Sequence, residues 1–308
     1  MTSTRPFDEA VVFGAGAVGS FLGARLSSAL RTVLVARGAH ADAMESNGLR
    51  LTGTLDERAS LAVARVLPPA AGRSLLLLTV KAGSLPAAAE AVAASGSEAR
   101  TIVCLQNGLE PDVEFARLLE DRGATSHIVR RAITSAACNL AEPGVVEYWG
   151  GGFTFPAEGA YDGLAALFAS AGIEALRSAD FAADVWTKLA VNCVANPLCA
   201  ILARRNNEVI VPELASVRQA ICDEVTRLAR SRGLALRDDL AAWLDEAMAS
   251  SLNRNSMLQD TAYGRRTEVD ALNGLVDELS RATSGDAPAN RTLARLVRFL
   301  QDKVSAVG

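Results

Sequence analysis

Five short apolar runs punctuate the first half of the chain: AVVFGAG (10–16), TVLVA (32–36), SLLLLTV (74–80), TIVCLQN (101–107) and HIVRRAIT (127–134). Amphipathic stretches lie between them. This rhythm predicts a largely parallel sheet with helices on both faces, because parallel strands are joined by crossovers that cover the sheet from either side. The text GLRLTGTLDERASLAVARVL (48–67) reads as extra strands with a turn. GVVEYWGGGFTFP (144–156) has the β-branched, aromatic and glycine content of a hairpin near the edge of that sheet.

Beyond about residue 180 the pattern changes. Stretches such as ELASVRQAICDEVTRLARSRG and RTEVDALNGLVDELSRATSG repeat their apolar residues with a helical period, no convincing strand follows, and Gly233 and Gly285 stand where helix C-caps are expected. The fold class is therefore α/β: a doubly wound sheet domain over residues 1–180, then an all-helical domain over 181–308. A chain of 308 residues is long enough for two such cores.

Charge and composition narrow the chemistry. With 31 basic against 35 acidic residues, a net charge of −4 and no long basic run, no nucleic-acid surface is expected and small-molecule chemistry is the default. The N-terminus MTSTRPFDEA lacks the apolar core of a signal peptide. No stretch reaches the ~18 uninterrupted apolar residues of a membrane span, so no membrane partner is expected. Cys104, Cys138, Cys193, Cys199 and Cys222 sit in apolar text without C-x-x-C spacing and read as reduced core residues of a cytoplasmic protein. His40 and His127 stand far apart with no ligand cluster, so no metal site is expected.

The first strand runs into VVFGAGAVGS, where Gly14, Gly16 and Gly19 make G-x-G-x-x-G ahead of a helical stretch. Gly14 permits a tight turn, Gly16 lets a pyrophosphate approach the backbone, and Gly19 allows close packing of helix on strand. Gly14, Ala15, Gly16, Ala17, Val18 and Gly19 thus read as the phosphate end of a dinucleotide site. An NAD-binding version would end its second strand on an acid, whereas TVLVA runs into Arg37 and no acid occurs before Asp42. A guanidinium there suits the 2′-phosphate of NADP, the alternative being a solvated surface arginine. Lys81 and Asn107 follow two further strands, at the sheet end where ligands gather. Each also has a plain reading, as the first residue of a surface loop and as half of an Asn-Gly turn.

Near the middle, WTKLAVNCVANPLCAIL (186–202) is apolar except for Lys188, Asn192 and Asn196, spaced by four. On an α-helix that spacing drifts by only about 40° per step, so the three form one polar stripe. Burying such groups without partners costs on the order of 1–3 kcal/mol apiece, and more for a charge. Either the stripe faces a substrate, or it is an interdomain seam satisfied by backbone carbonyls, with Asn196 capping a bend before Pro197.

Taken together, these blocks resemble the ketopantoate reductase family: GAGAVG at 14–19, TVKA at 79–82, QNG at 106–108, WTKLAVNCVANPLCAI at 186–201, SMLQD at 256–260, RRTEVDALNG at 265–274 and PANRTL at 288–293. The resemblance covers nearly the whole chain. It implies NADPH-dependent reduction of a 2-keto acid, typically ketopantoate to pantoate on the route to pantothenate and coenzyme A. It also implies a Rossmann domain followed by an all-helical domain, with the site in the cleft between them. Matched position by position, it makes Lys188 the catalytic lysine and Glu268 its acidic companion. Asn192, Asn196, Asn206 and Ser256 become substrate-binding residues, with Lys81, Asn107 and Glu268 beside the cofactor and Asn107 reaching substrate as well. The family usually follows Asn206 with glycine. Here Asn207 stands instead, and asparagine's tolerance of the left-handed backbone region is expected to preserve the turn.

Those residue types fit the reaction. Hydride delivery to a ketone builds negative charge on its oxygen, and an ammonium can both stabilise that charge and donate the proton, while Glu268 can hold the ammonium or the new hydroxyl in register. By itself RRTEVD also looks like an exposed helix face, and Ser256 like the N-cap of the following helix. Two other readings stay open: a reductase of another branched 2-keto acid, and a non-catalytic NADP-binding sensor. A homodimer is compatible with the sequence, which fixes no oligomeric state.

Overall fold

The computed structural model describes residues 6–96 and 98–305. The chain divides into two compact units, Met1–Gln106 with Glu110–Ala179, and Asn107–Leu109 with Asp180–Gly308. The first runs β1 (Glu9–Phe13), α1 (Ala17–Leu26), β2 (Arg31–Val35), α2 (Gly38–Asn47), β3 (Leu49–Gly53), β4 (Glu57–Ala59), β5 (Ala62–Ala64), β6 (Ser74–Leu78), α3 (Leu85–Ala94), β7 (Arg100–Cys104), α4 (Pro111–Glu120), β8 (Ile128–Arg131), β9 (Ile133–Thr134), β10 (Cys138–Glu142), β11 (Val145–Tyr148), β12 (Phe153–Pro156), α5 (Asp162–Ser170) and β13 (Ala175–Ser178). The second contains α6 (Phe181–Leu202), α7 (Ala215–Ser231), α8 (Leu240–Met248), α9 (Ser256–Ala262), α10 (Asn273–Ala282) and α11 (Pro288–Ser305).

The apolar runs of the first half form a six-stranded sheet in the order β5-β2-β1-β6-β7-β8, every pair parallel. This is a Rossmann-type, doubly wound arrangement with β1 beside its reversal point. Successive residues of β1 explain why the strand is apolar throughout. Ala10 and Val12 pack into one core with Phe21 and Leu22 of α1, while Val11 and Phe13 pack into another with Leu85 of α3 and Phe115 of α4. Burying a side chain such as Val or Phe this fully contributes about 1.5–3 kcal/mol.

The extra strands expected over 48–67 are present. β3 and β4 pair antiparallel, and β5 joins the main sheet beside β2. The hairpin expected over 144–156 is not. β11 pairs with β10 and β3, whereas β12 pairs with β9 and β13, in a different sheet. Gly150 and Gly151, both at positive φ, carry the chain from one sheet to the other, so the glycines mark a sheet change rather than a tight turn.

In the second unit the described residues contain helices and no strand. α6 has the length and mean hydropathy of a membrane span, 22 residues and 1.4, yet 72% of that apolar window is buried inside the fold. It is a core helix, and it continues through Pro197 without ending there. Gly233 follows α7 at a φ of +78° as expected, but after α10 the left-handed residue is Ser284, with Gly285 beside it donating its N–H to the Ser280 carbonyl. The stretch from 266 to 285 is not one helix. Glu268 precedes a short 3₁₀ turn over Val269–Ala271, and α10 starts only at Asn273.

Candidate active site

In the first unit the parallel register brings the ends of β1, β2, β6 and β7 to one level, with Phe13 opposite Val35 and Leu78, and Leu78 opposite Cys104. The glycine loop leaves β1 at that level. Gly14 has a φ of +119°, and a Cβ there would meet the backbone after β6, 2.6 Å from the Val80 nitrogen. A Cβ on Gly19 would stand 2.0 Å from the Gly14 carbonyl oxygen, and that oxygen accepts the Thr79 hydroxyl at 2.6 Å. Gly16 is different: nothing lies within 4 Å of where its Cβ would be. As N-cap of α1 it has no side-chain cap and no acid in the first turn, so the first N–H groups are left for an anion. Ala15 lies within the loop, and Ala17 and Val18 open the helix.

Arg37, exposed, is the N-cap of α2 just beyond β2, and it has no carboxylate partner among the described residues. Asp42, the first acid after that strand, is held by Arg65 at 2.7 Å, and Arg65 also binds Glu45 at 2.6 Å. Lys81, also exposed, caps a 3₁₀ turn after β6. Gln106 donates to the carbonyls of Leu78 and Val80 and ties the two strand ends together.

The second unit holds the polar stripe. Lys188 is half-buried on α6, and burial alone pushes its ammonium below the ordinary lysine value near 10.5. It makes no ion pair among the described residues. The Glu268 carboxylate accepts from Asn107 at 3.0 Å, and the Asn107 oxygen accepts from Asn192 at 3.1 Å. Asn192 and Asn196 are 5% and 4% exposed, yet Asn196 has no side-chain hydrogen bond among the described residues. A buried amide with no protein partner is disposed to meet a ligand. Nor is Asn196 a cap, since the helix runs on past it.

Two expected substrate residues lie elsewhere in character. Ser256 is exposed at the first position of α9, and the N-cap is Asn255, whose oxygen accepts from Leu258 at 3.0 Å. Asparagine and serine compete well for that position, and the N-R-N-S text offers both. Asn206 is occupied structurally: its oxygen accepts from Asn255 at 2.9 Å and its amide donates to Ser251 at 3.2 Å. The left-handed turn anticipated at Asn207 is not formed there. The positive φ, +54°, belongs to Ala203 at the end of α6, so asparagine in place of glycine costs the backbone nothing. Thr79, unremarked in the sequence, clamps the glycine loop. The described residues hold no cluster of three metal-ligating side chains, and all five cysteines are free and buried.

The family description "Ketopantoate reductase PanE/ApbA" matches residues 10–158, and its C-terminal counterpart matches 180–301. A 2-dehydropantoate 2-reductase of Archaeoglobus fulgidus is 32% identical, over 94% of this chain and 97% of its own length. One from Vibrio cholerae is 30% identical, over 96% and 98%. A crystal structure of a PanE/ApbA family ketopantoate reductase from Ralstonia eutropha aligns with a TM-score of 0.84 at 31% identity, covering 96% of this chain and 99% of that one. D-mandelate dehydrogenase with NADH and anilino(oxo)acetate, at 22% identity, shares the fold with the same TM-score. The chain belongs to the ketopantoate reductase family.

Proposed function

We propose that this enzyme reduces 2-dehydropantoate (ketopantoate) to pantoate with NADPH. The first unit is its NADP-binding domain and the second its helical, catalytic domain. The observation that carries this reading is Lys188, a half-buried lysine of lowered proton affinity and without a carboxylate partner among the described residues, on the helix that also presents Asn192 and Asn196.

The open face of Gly16 and the uncapped first turn of α1 fit a pyrophosphate, and Arg37 fits a 2′-phosphate, with Lys81 beside the cofactor. When bound, the reduced nicotinamide supplies a hydride to the keto carbon. As the C–O π bond breaks, the electron pair moves to oxygen, and the Lys188 ammonium stabilises that charge and gives up its proton, so ketone, hydride and proton become the secondary alcohol. Lys188 regains its proton from solvent. A lowered pKa suits this role, because an acid nearer neutrality releases its proton more readily. Asn196 and Asn192 bind and orient the substrate's polar groups. Glu268 orients Asn192 through Asn107. Asn206 and Ser256 support the substrate side of the site, Asn206 by holding Asn255 and the start of α9.

The test is NADPH oxidation with ketopantoate beside other branched 2-keto acids, for wild type and Lys188→Gln. Turnover of ketopantoate with the highest kcat/KM, lost in the variant, is expected. Higher kcat/KM for another keto acid would reassign the substrate, and no oxidation with any of them would leave a nucleotide-binding protein without this catalysis.

A further inference from the structure

We infer that Asn273 is a positioning residue for the substrate helix: it takes over a carbonyl that Pro197 leaves without a helical partner, and so fixes the turn of α6 that carries Asn192 and Asn196. This rests on the reading of those two amides as substrate-binding.

In an α-helix the Cys193 carbonyl would accept the N–H of residue 197, but proline has none, and its ring crowds the carbonyl four residues back. The helix nevertheless continues to Leu202. The Cys193 carbonyl accepts instead from the side chain of Asn273, at 2.9 Å. Asn273 opens α10 and is fully buried. The same amide nitrogen donates to the oxygen of Asn290, also at 2.9 Å, and Asn290 in turn donates to Glu224 at 2.7 Å. Glu224, on α7, further accepts the N–H groups of Ala289 and Asn290 at the start of α11, at 2.8 and 2.9 Å. One buried chain of hydrogen bonds therefore ties α7, α11 and α10 to the interrupted rung of α6.

The orientation of Asn273 is forced. Its amide nitrogen meets two acceptors, so a flipped side chain would set oxygen against oxygen twice. The cost of this orientation is visible: the Asn273 oxygen is buried with no partner among the described residues. A second asparagine grips the same turn, since Asn255 donates to the Ala195 carbonyl at 3.2 Å. Carbonyls on either side of Val194, in the turn between Asn192 and Asn196, are thus held by side chains outside the helix.

The experiment compares full-length wild type, Asn273→Ala, Asn273→Ser, Pro197→Ala and the double variant that combines Asn273→Ala with Pro197→Ala. Thermal stability, hydrogen exchange across 193–200, NADPH affinity, and keto-acid KM and kcat are read for each. Asn273→Ala should raise keto-acid KM about tenfold and lower kcat, quicken exchange, and leave NADPH affinity within about twofold. Asn273→Ser keeps one donor, and should fold and fall between. In the double variant the alanine replacing Pro197 supplies the missing N–H, so stability and exchange protection should recover while keto-acid KM stays high, because the turn is now regular. Recovery of KM and kcat together with stability would reduce Asn273 to a structural role, as would wild-type kinetics in Asn273→Ala. Should the wild type turn over no keto acid, the functional reading fails by itself, and unchanged exchange in Asn273→Ala still overturns the positioning.

Discussion

Lys188 holds its charge where the surroundings disfavour it, and that has consequences at two ends of the pH scale. Its folded pKa lies below the unfolded value, so between the two the unfolded chain binds more protons and stability rises with pH. The penalty is fully present below the folded pKa and is gone above the ordinary lysine value. Lys188→Gln should therefore melt higher than wild type near neutrality, with the advantage shrinking as pH climbs towards 10.5. In turnover the sign reverses: the charged form is the acid, so kcat should fall as pH rises through the lowered pKa. Lys188→Gln should lose about 10²–10⁴-fold in kcat and that pH limb with it. Near wild-type kcat in the glutamine variant, with hydride transfer rate-limiting, would remove Lys188 from the chemistry. Arg37 belongs to the same scale. A charge-assisted contact to phosphate is worth about 1.5–3 kcal/mol, so Arg37→Ala should raise the KM for NADPH roughly ten- to a hundredfold and leave NADH little altered. Equal loss for both cofactors would make Arg37 a residue of the fold.

The glycine loop separates packing from binding within one element. Gly19 has backbone where a Cβ would stand, whereas Gly16 has open space and an ordinary φ of −79°. Gly19→Ala should lower Tm by several degrees through a clash that the Gly14 carbonyl cannot easily evade. Gly16→Ala should keep its Tm and weaken NADPH binding about tenfold, as measured by titration of the folded protein. A Gly16→Ala variant with unchanged NADPH affinity would mean that the phosphates do not approach there. This loop is legible in the sequence because its logic is local: strand, turn and helix follow one another along the chain. The central strands β1, β2, β6 and β7 are legible for a related reason, being buried along nearly their whole length. What escapes is non-local. Tyr148 and Phe153 sit five residues apart yet in different sheets, since Tyr148 pairs with Gly53 of β3 and Phe153 with Ala175 of β13, partners distant in sequence. Asn255 displaces Ser256 as cap because its amide also reaches Asn206 and Ala195. The resemblance pairs Glu268 with Lys188, whereas the Glu268 carboxylate takes the amide of Asn107, a residue 161 positions away.

At the scale of the molecule, the two apolar cores around the main sheet are built entirely from residues of the first unit, between Phe7 and Ala175, and neither draws on α6 to α11. A fragment of residues 1–179 should therefore fold on its own, and because the glycine loop and Arg37 lie within it, it should bind NADPH, though more weakly than the whole chain. It keeps Asn107 but lacks Lys188, the group assigned to polarise and protonate the keto acid, together with Asn192, Asn196 and Glu268. Cofactor binding and catalysis should thus part cleanly: a fluorescence titration of the fragment should report NADPH binding, while its NADPH oxidation with ketopantoate should equal the no-enzyme control. Turnover by the fragment would return the chemistry to the sheet domain. A fragment that folds by circular dichroism but shows no affinity for NADPH would place essential cofactor contacts on the helical side, and the glycine loop would then be a necessary but insufficient cradle.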